Sequence, residues 1–459
     1  MIEFQDVSFT YEGRKTGINH VNFHIKEGEV VLFCGESGCG KSTITRLMNG
    51  LIPHFYKGNL QGEITLSGVR NQDRNLYEIN ENLGNVFQNP RTQFFNLDTK
   101  DEIMFALENQ NRDKGYILER FEQTISRFSM EHLLGKNIYK LSGGEQQKIA
   151  CASAYCSNPD IFIFDEPSSN LDEQSTVALG ETLKLLKREG KTIVIAEHRL
   201  YFLMDVVDRI IYMEEGEIKE TFTKEEFLTL SSEKLQEKGL RSREKPVLHP
   251  KFDQEILLGN SLNIKKARVT YQSPRREINY ENLQIPKGEI VALTGRNGRG
   301  KSTLLRVLAG LQEHSKEQIE IDGVKLGKRA RNKDSYFVMQ DVNHQLFTES
   351  VFQEVSLGAN VRFQERIPEI LEALQLEQVK KVHPRNLSGG QRQRVVIASA
   401  MSSGKKIVLF DEPTSGLDHK QMKNVANSLI KLRKEVDVIL IVTHDIEFIN
   451  HCCTMVMKL

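Results

Sequence analysis

Two nine-residue segments of the chain share the spacing Gly-x-x-x-x-Gly-Lys-Ser-Thr, which groups residues suited to binding phosphate. Each follows an apolar, strand-like run and opens a helical run, the context in which such a loop works. The glycines let backbone N–H groups point at phosphate oxygens, and Lys41 or Lys301 adds a positive charge. We expect two phosphate-binding loops, with Ser42 and Ser302 also placed to ligate Mg²⁺. The loops comprise Gly35, Glu36, Ser37, Gly38, Cys39, Gly40, Lys41, Ser42 and Thr43, and Gly295, Arg296, Asn297, Gly298, Arg299, Gly300, Lys301, Ser302 and Thr303.

Two further apolar runs each end in a pair of adjacent carboxylates, Asp165-Glu166 and Asp411-Glu412. A run of this kind is typical of a parallel strand buried on both faces. At its end, Asp165 or Asp411 is expected to hold Mg²⁺. The following Glu166 or Glu412 is expected to orient and deprotonate an attacking water. The alternative reading, a solvated acidic turn, is disfavoured because a phosphate-binding loop precedes each pair.

The motifs occur twice because the chain is internally duplicated. The offset between the copies is 260 residues at the loops and 246 residues at the carboxylate pairs, so the second copy is shorter in its middle. Such a repeat predicts two domains, which we place at residues 1–222 and 259–459. Residues 223–258 are expected to form a linker that contains one amphipathic helix over 224–239 and then a polar, extended stretch.

Composition argues against several classes of protein, although a local charged patch is still possible. Lysines plus arginines and aspartates plus glutamates both number 62, so no overall charge draws the chain to nucleic acid or anionic lipid. The six cysteines lack the spacing of a zinc site and are expected to be reduced, mostly buried thiols. No apolar run approaches the length of a membrane span, and the first residues lack the pattern of a signal peptide.

A Ser-Gly-Gly sequence begins a helical run in each copy, between the phosphate-binding loop and the carboxylate pair. The serine can cap the helix, and the glycine N–H groups are free to meet an anion. In this position the segments resemble the signature motif of ATP-binding cassette (ABC) ATPases. The residues concerned are Ser142, Gly143, Gly144, Ser388, Gly389 and Gly390.

The resemblance to ABC ATPases implies an α/β fold of two tandem P-loop NTPase domains. Each domain would have a mostly parallel sheet core, an antiparallel β subdomain and a helical subdomain, and the two would form an intramolecular pseudo-dimer. It also implies hydrolysis of ATP with Mg²⁺ as cofactor. The resemblance covers nearly everything except the linker.

The same resemblance assigns roles to two more pairs of residues. Gln88 and Gln340 match the glutamine loop, whose side chain reaches the metal ion and the attacking water. His198 and His444 follow apolar strands, as the switch histidine of the family does. An isolated glutamine or histidine is more often structural, but both pairs recur at matching positions of the two copies.

Tyr11 and Tyr271 each lie 30 residues before the lysine of the loop, where the family stacks an aromatic ring on adenine. A tyrosine in a strand otherwise serves packing. The copies depart from one another around the switch histidine, with Ala-Glu-His-Arg-Leu at 196–200 and Thr-His-Asp at 443–445. The loop after the first carboxylate pair also has Asn170 where the second copy has glycine. Neither departure removes a catalytic side chain.

In the family, ATP is enclosed between domains that pack head to tail, so each site draws residues from both copies. A γ-phosphate between a phosphate-binding loop and a signature motif is surrounded by donors on both sides. One site is therefore expected to combine Lys41, Ser42, Asp165, Glu166 and His198 with Ser388, Gly389 and Gly390. The other is expected to combine Lys301, Ser302, Asp411, Glu412 and His444 with Ser142, Gly143 and Gly144.

Among ABC proteins, the chain looks most like the fused ATPase pair of an energy-coupling factor importer. The similarity lies in the glutamine-loop regions 88–109 and 338–347 and in Glu-His-Arg-Leu at 197–200. It implies a peripheral subunit on the cytoplasmic face of the membrane, with an integral coupling protein and a substrate-binding membrane protein as partners. The segments 89–96 and 341–349 would dock on the coupling protein. Importers of this type take up vitamins, vitamin precursors, cobalt or nickel.

Three alternatives remain from the sequence. The chain could be the two-cassette ATPase of a sugar importer, although the second cassette of such proteins often departs from consensus and this one does not. It could be a two-cassette factor that acts on ribosomes or DNA, but no basic arm or zinc insertion is present and no nucleic acid is expected as partner. A non-hydrolysing scaffold gated by nucleotide is disfavoured by the intact glutamates.

Overall fold

The computed structural model describes residues 2–13, 17–169, 171–249, 261–272 and 275–459. The chain divides into two compact units, Met1–Lys245 and Pro246–Leu459. The predicted linker limits stay a prediction, since residues 250–258 lie outside the described part, as does Asn170.

The first unit contains two sheets. A four-stranded antiparallel sheet has the order β2-β1-β4-β5, and a six-stranded sheet has the order β10-β9-β3-β8-β7-β6, parallel except for its edge strand β10. These strands are β1 (Ile2–Tyr11), β2 (Gly17–Ile25), β3 (Val30–Gly35), β4 (Gly58–Leu66), β5 (Val69–Arg70), β6 (Leu83–Val86), β7 (Ile161–Asp165), β8 (Thr192–Ala196), β9 (Arg209–Glu214) and β10 (Glu217–Thr223).

Strand β3 is buried on both faces, which explains its uninterrupted apolar sequence. Val30 and Leu32 pack into the core that contains the helical subdomain, whereas Val31 and Phe33 pack into the core beneath the antiparallel sheet. The helices of this unit are α1 (Lys41–Met48), α2 (Leu51–His54), α3 (Leu76–Asn80), α4 (Thr99–Asn109), α5 (Lys114–Phe128), α6 (Gly143–Cys156), α7 (Glu173–Arg188), α8 (Lys224–Thr229) and α9 (Ser232–Glu237).

The second unit repeats this architecture with a parallel sheet ordered β16-β17-β18-β13-β19 and an antiparallel sheet ordered β12-β11-β14-β15. Its strands are β11 (Ser261–Gln272), β12 (Arg275–Pro286), β13 (Ile290–Thr294), β14 (Ser315–Ile321), β15 (Val324–Lys325), β16 (Ser335–Val338), β17 (Ile407–Asp411), β18 (Val438–Val442) and β19 (Met455–Lys458). Its helices are α10 (Lys301–Leu308), α11 (Lys328–Asp334), α12 (Val351–Ser356), α13 (Val361–Gln364), α14 (Ile367–Ala373), α15 (Gly389–Ser402), α16 (His419–Leu432) and α17 (Ile446–Cys452).

These units confirm the predicted fold class, two tandem α/β domains that each combine a parallel core sheet, an antiparallel sheet and a helical subdomain. The second copy is shortened in two places. The offset falls from 260 to 252 residues between the phosphate-binding loop and Gln88 or Gln340, where α2 has no helical counterpart. It falls from 252 to 246 residues in the helical subdomain, where α13 and α14 are shorter than the 15-residue α5. All six cysteines are free and buried, as expected. Among the described residues, no helix combines the length and the hydrophobicity that crossing a bilayer requires.

The prediction of one helix over 224–239 is wrong. The segment forms the two short helices α8 and α9, because Leu230 is extended and the Ser231 hydroxyl accepts a hydrogen bond from the N–H of Lys234, which starts a new helix. The break lets Phe227 and Leu235 both bury themselves in the core of the first unit. This segment is therefore a part of the first unit and not an exposed spacer.

Candidate active sites

In each unit the phosphate-binding loop connects the central strand to a helix, β3 to α1 and β13 to α10. Nζ of Lys41 donates to the carbonyls of Gly35 and Glu36, both at 3.0 Å, and the side chain is buried. Nζ of Lys301 donates in the same way to the carbonyl of Gly295, at 2.6 Å. Each lysine is thus held against its own loop, so its charge already lies where phosphate oxygens are bound.

The residues predicted to hold Mg²⁺ meet in each unit. Oγ of Ser42 donates to Oδ1 of Asp165 at 3.0 Å, and Oγ of Ser302 donates to Oδ1 of Asp411 at 3.1 Å. A hydroxyl and a carboxylate offer hard oxygen ligands, which Mg²⁺ prefers. In the described part of the chain, no group of three or more His, Cys, Asp or Glu residues could hold another metal ion. The donor set therefore fits Mg²⁺ bound together with phosphates.

The environment of the two aspartates raises their pKa. Burial, followed by the charge of Glu166, raises the pKa of Asp165 to about 6. Burial also raises the pKa of Asp411. Both effects disfavour the charged carboxylate, which a bound divalent cation would stabilise.

The expected general bases stand on tight turns directly after the strands. Glu166 and Glu412 have φ angles of 46° and 47°, a left-handed conformation that is rare outside glycine. Their N–H groups donate to carbonyls of the neighbouring strand, Ala196 and Val442, at 2.7 and 2.9 Å. The turn is thereby fixed and aims each carboxylate beyond the end of the sheet.

In the first unit, a glutamine and a histidine both contact Glu166. Nε2 of Gln88 donates to Oε2 of Glu166 at 3.0 Å, and Nε2 of His198 lies 3.4 Å from Oε1. In the second unit, Nε2 of His444 lies 3.7 Å from Oε1 of Glu412. Each unit therefore holds an imidazole beside the carboxylate that would activate water. The roles of Gln88 and Gln340 as metal ligands stay a prediction.

The signature serines cap the helices that follow them, as predicted. Ser142 and Ser388 lie before α6 and α15, and each forms a reciprocal capping box with the side chain three residues later. The expectation that the glycine N–H groups are free is wrong for Gly390, whose N–H donates to Oε1 of Gln421 at 3.0 Å. This contact joins α15 to α16, a pairing between distant residues that sequence spacing does not indicate.

The two tyrosines lie beside their loops. The Tyr11 hydroxyl is 3.2 Å from Oγ1 of Thr43, and the hydroxyl of Tyr271 is 2.9 Å from Oγ1 of Thr303. Their stacking on adenine stays a prediction. In the first unit, Nη1 of Arg46 also donates to the Tyr11 hydroxyl at 3.1 Å. Arg46, five residues after Lys41, is not among the site residues predicted from the sequence.

Comparison with known proteins places these features in context. Residues 18–169 and 278–415 match a family model described as ABC transporter. A protein of Treponema denticola, provisionally named an ABC transporter ATP-binding protein, is 42% identical over 468 residues, which cover 100% of this chain and 95% of the relative. A protein of Saccharolobus solfataricus with the same kind of name is 32% identical, and the match covers 98% of this chain and 90% of the relative.

Solved structures show the same fold. The archaeal ribosome recycling factor aABCE1, in complex with the ribosomal stalk protein aP1, gives a TM-score of 0.64 at 23% identity, covering 98% of this chain and 87% of that chain. A structure described as RNase-L inhibitor also gives a TM-score of 0.64 at 23% identity, covering 99% of this chain and 88% of that chain. At this identity, the likeness concerns the fold alone.

Proposed function

Since this chain belongs to the ABC transporter family and is an ABC-type ATPase with two cassettes, we propose that it is the energy-coupling subunit of a membrane importer. The importer is of the energy-coupling factor type, and its cargo is a vitamin, a vitamin precursor or a transition-metal ion. Its partners are an integral coupling protein and a substrate-binding membrane protein, with the chain lying on the cytoplasmic face of the membrane.

The geometry of each site accounts for hydrolysis of ATP. Lys41 and the N–H groups of its loop bind the phosphates, and Mg²⁺, held by Ser42 and Asp165, would neutralise part of their charge. Glu166 orients a water and accepts its proton. His198 lies between Glu166 and Ser37, with Nε2 3.4 Å from Oγ of Ser37, so it can contact both the water-activating group and the phosphate side of the site.

The observation that carries the importer proposal is a pair of exposed phenylalanines in the segments expected to dock. Phe95 is 77% exposed and Phe347 is 76% exposed, and they occupy matching positions of the two copies. Phe95 also stacks on Phe105, with ring centroids 4.9 Å apart. An exposed aromatic ring beside other apolar groups is the usual mark of a binding surface. Its presence in both units favours a partner that contacts both cassettes.

These phenylalanines stand on firmly held backbone. The buried carboxylate of Glu102 accepts from the N–H groups of Phe95 and Asn96, at 3.0 and 2.7 Å. Glu354 accepts in the same way from the N–H groups of Phe347 and Thr348, at 2.9 and 2.8 Å. A mobile loop would lose more entropy on binding than a fixed one. The fixed backbone supports a role in which movement of a docked partner is coupled to changes at the ATP site.

The segments also begin at the active sites. Gln88, which contacts Glu166, lies within a loop closed by a hydrogen bond from the N–H of Phe87 to Oε1 of Gln93, at 3.0 Å. The matching bond in the second unit runs from the N–H of Met339 to Oε1 of Gln345, at 2.8 Å. A structural change at Glu166 on binding of nucleotide and water can therefore reach Phe95 through a short, hydrogen-bonded segment.

The proposal is tested with the tagged full chain in the native host. Phe95→Asp and Phe347→Asp should each reduce recovery of integral membrane subunits and transport by about tenfold or more, because a buried, unpaired carboxylate would replace an apolar anchor. Binding of a fluorescent ATP analogue should stay unchanged. Val324→Asp is the matched control, since Val324 is 68% exposed on the antiparallel sheet.

Recovery of the wild-type chain with ribosomes, and none with membranes, would overturn the proposal. The alternative of a ribosome-associated factor would then stand. Recovery with membrane subunits of a sugar importer would instead retain the coupling role and change the cargo.

A further inference from the structure

The two units differ in the residues on either side of the switch histidine. In the first unit His198 is preceded by Glu197 and followed by Arg199, whereas in the second unit Thr443 precedes and Asp445 follows the histidine. The acidic residue therefore precedes the histidine in the first unit and follows it in the second, while the two histidines keep the offset of 246 residues. In the structure, both carboxylates accept a hydrogen bond from the segment that follows the general base.

Glu197 is buried and ties three backbone groups together. Its Oε1 accepts from the N–H groups of His198 and Arg199, at 2.7 and 3.1 Å. Its Oε2 accepts from the N–H of Ser168, at 3.1 Å. Ser168 lies two residues after Glu166, so this one carboxylate joins the backbone that carries the histidine to the backbone that carries the general base.

Asp445 binds the corresponding segment of the second unit. Its Oδ2 accepts from the hydroxyl of Thr414 at 2.9 Å, and its Oδ1 accepts from the N–H of Phe448 at 3.2 Å. Thr414 occupies the position that Ser168 occupies in the first unit. Both carboxylates therefore anchor the same point after the general base, one through a backbone N–H and the other through a hydroxyl.

We propose that Glu197 is a positioning residue of the first ATP site, which holds His198 against Glu166 in place of the aspartate that follows the histidine in the second site. Hydrogen bonds from three N–H groups to one buried carboxylate are stronger than neutral ones. They fix the distance between the two segments within the small tolerance that catalysis requires. The inference depends on ATP hydrolysis alone and not on a membrane partner.

One detail of the first unit makes the proposal testable by exchange. Among the residues that the structure describes, the buried hydroxyl of Ser168 has no hydrogen-bond partner, whereas its counterpart Thr414 is bound by Asp445. An aspartate at position 199 would stand where Asp445 stands and could accept from that hydroxyl. The arrangement of the second unit can therefore be rebuilt in the first by two substitutions.

The experiment measures ATP hydrolysis by the purified full chain at saturating and limiting ATP. Glu197→Thr should lower kcat by about tenfold or more, because the histidine and the general base lose their common anchor. KM should change by less than about twofold, because the phosphate-binding loop is untouched. Adding Arg199→Asp to Glu197→Thr should restore most of the lost kcat.

An unchanged kcat in Glu197→Thr, or a double variant no more active than the single one, would overturn the proposal. A purely structural role would lower the melting temperature and show no such rescue of kcat. If Glu197→Thr does not fold, Glu197→Gln replaces it, since the amide keeps the shape and one acceptor oxygen and should give an intermediate kcat. The reciprocal pair is Asp445→Arg, with a loss of kcat, and Asp445→Arg with Thr443→Glu, with recovery.

Discussion

Nε2 of His198 lies 3.4 Å from Oε1 of Glu166, and the same atom also lies 3.4 Å from Oγ of Ser37. The second unit repeats this arrangement with Nε2 of His444, which is 3.2 Å from Oδ1 of Asn297 in the phosphate-binding loop. The imidazole therefore bridges the water-activating carboxylate and the loop in both units. Each unit therefore brings the expected general base, the switch histidine and the phosphate-binding loop together.

Because each unit contains the residues expected for hydrolysis, removal of either general base should be costly. Glu166→Gln and Glu412→Gln should each lower kcat well beyond tenfold, since loss of a general base typically costs about 10² to 10⁴. Steady-state hydrolysis by the full chain, or by the assembled transporter, measures the effect. Glu225→Gln, an exposed position on α8, is the control. Turnover at the wild-type rate in either variant would show that the altered site does not hydrolyse ATP.

The bond from Ser42 to Asp165 predicts a specific defect in metal dependence. Ser42→Ala removes an oxygen ligand, so the Mg²⁺ concentration for half-maximal hydrolysis should rise by about tenfold, equivalent to about 1.4 kcal/mol. A titration with Mg²⁺ at saturating ATP measures the shift. Ser37→Ala changes a residue of the same loop that contacts His198 instead, so its Mg²⁺ dependence should match that of the wild type. Equal shifts in both variants would contradict the assignment.

The head-to-tail pairing of motifs that the resemblance to ABC ATPases implies would produce a pattern of additivity. Lys41→Ala combined with Ser388→Arg should be hardly worse than either alone, because both damage one ATP site. Lys41→Ala combined with Ser142→Arg should abolish turnover, because each damages a different site. Rates of hydrolysis by the single and double variants measure this. The reverse pattern would mean that each cassette uses its own signature motif.

The raised pKa of Asp165 predicts a gain in stability when its charge is removed. Its folded-state pKa of about 6 lies above the ordinary value, so the folded state keeps a proton that the unfolded chain has released, and stability falls as the pH rises through 6. Near pH 7.5, Asp165→Asn should increase the free energy of unfolding of the metal-free and nucleotide-free protein by about 1 to 3 kcal/mol. The gain should shrink below about pH 5, where the carboxyl is protonated in the wild-type protein.

Thermal unfolding in the presence of a chelator measures this gain. Asp411→Asn provides the comparison and should give a smaller gain, because burial raises the pKa of Asp411 without a contribution from the adjacent glutamate. A lower melting temperature for Asp165→Asn at every pH would contradict the prediction.

Features set by neighbouring residues could be predicted from the sequence. Gly35 and Gly40 have φ angles of 147° and 110°, and a Cβ on Gly35 would come within 2.2 Å of the carbonyl oxygen of Met213. Only glycine meets both demands, so the motif itself carries the geometry of the loop. The carboxylate pairs could also be recognised from neighbouring residues, because a parallel strand buried on both faces has a continuous apolar sequence and each pair follows such a run.

Features set by distant residues could not be predicted. The bond between Gly390 and Gln421 and the bond between Ser168 and Glu197 each join segments about 30 residues apart whose meeting depends on the whole sheet. The amphipathic pattern over 224–239 predicts one helix, but Ser231 caps a second helix. The break between the two helices allows Phe227 to be buried in the core. In both cases tertiary contacts decided between local options of similar energy.

The burial of all six cysteines has a practical consequence for labelling the protein with probes. Burial raises the pKa of Cys34 and Cys151 to about 12 and that of Cys156 to about 11, so these thiols scarcely form the reactive thiolate at neutral pH. A cysteine introduced at the exposed position of Phe95 would therefore take up a fluorophore or spin label selectively. A probe at this position can then be followed during turnover without prior removal of the native thiols.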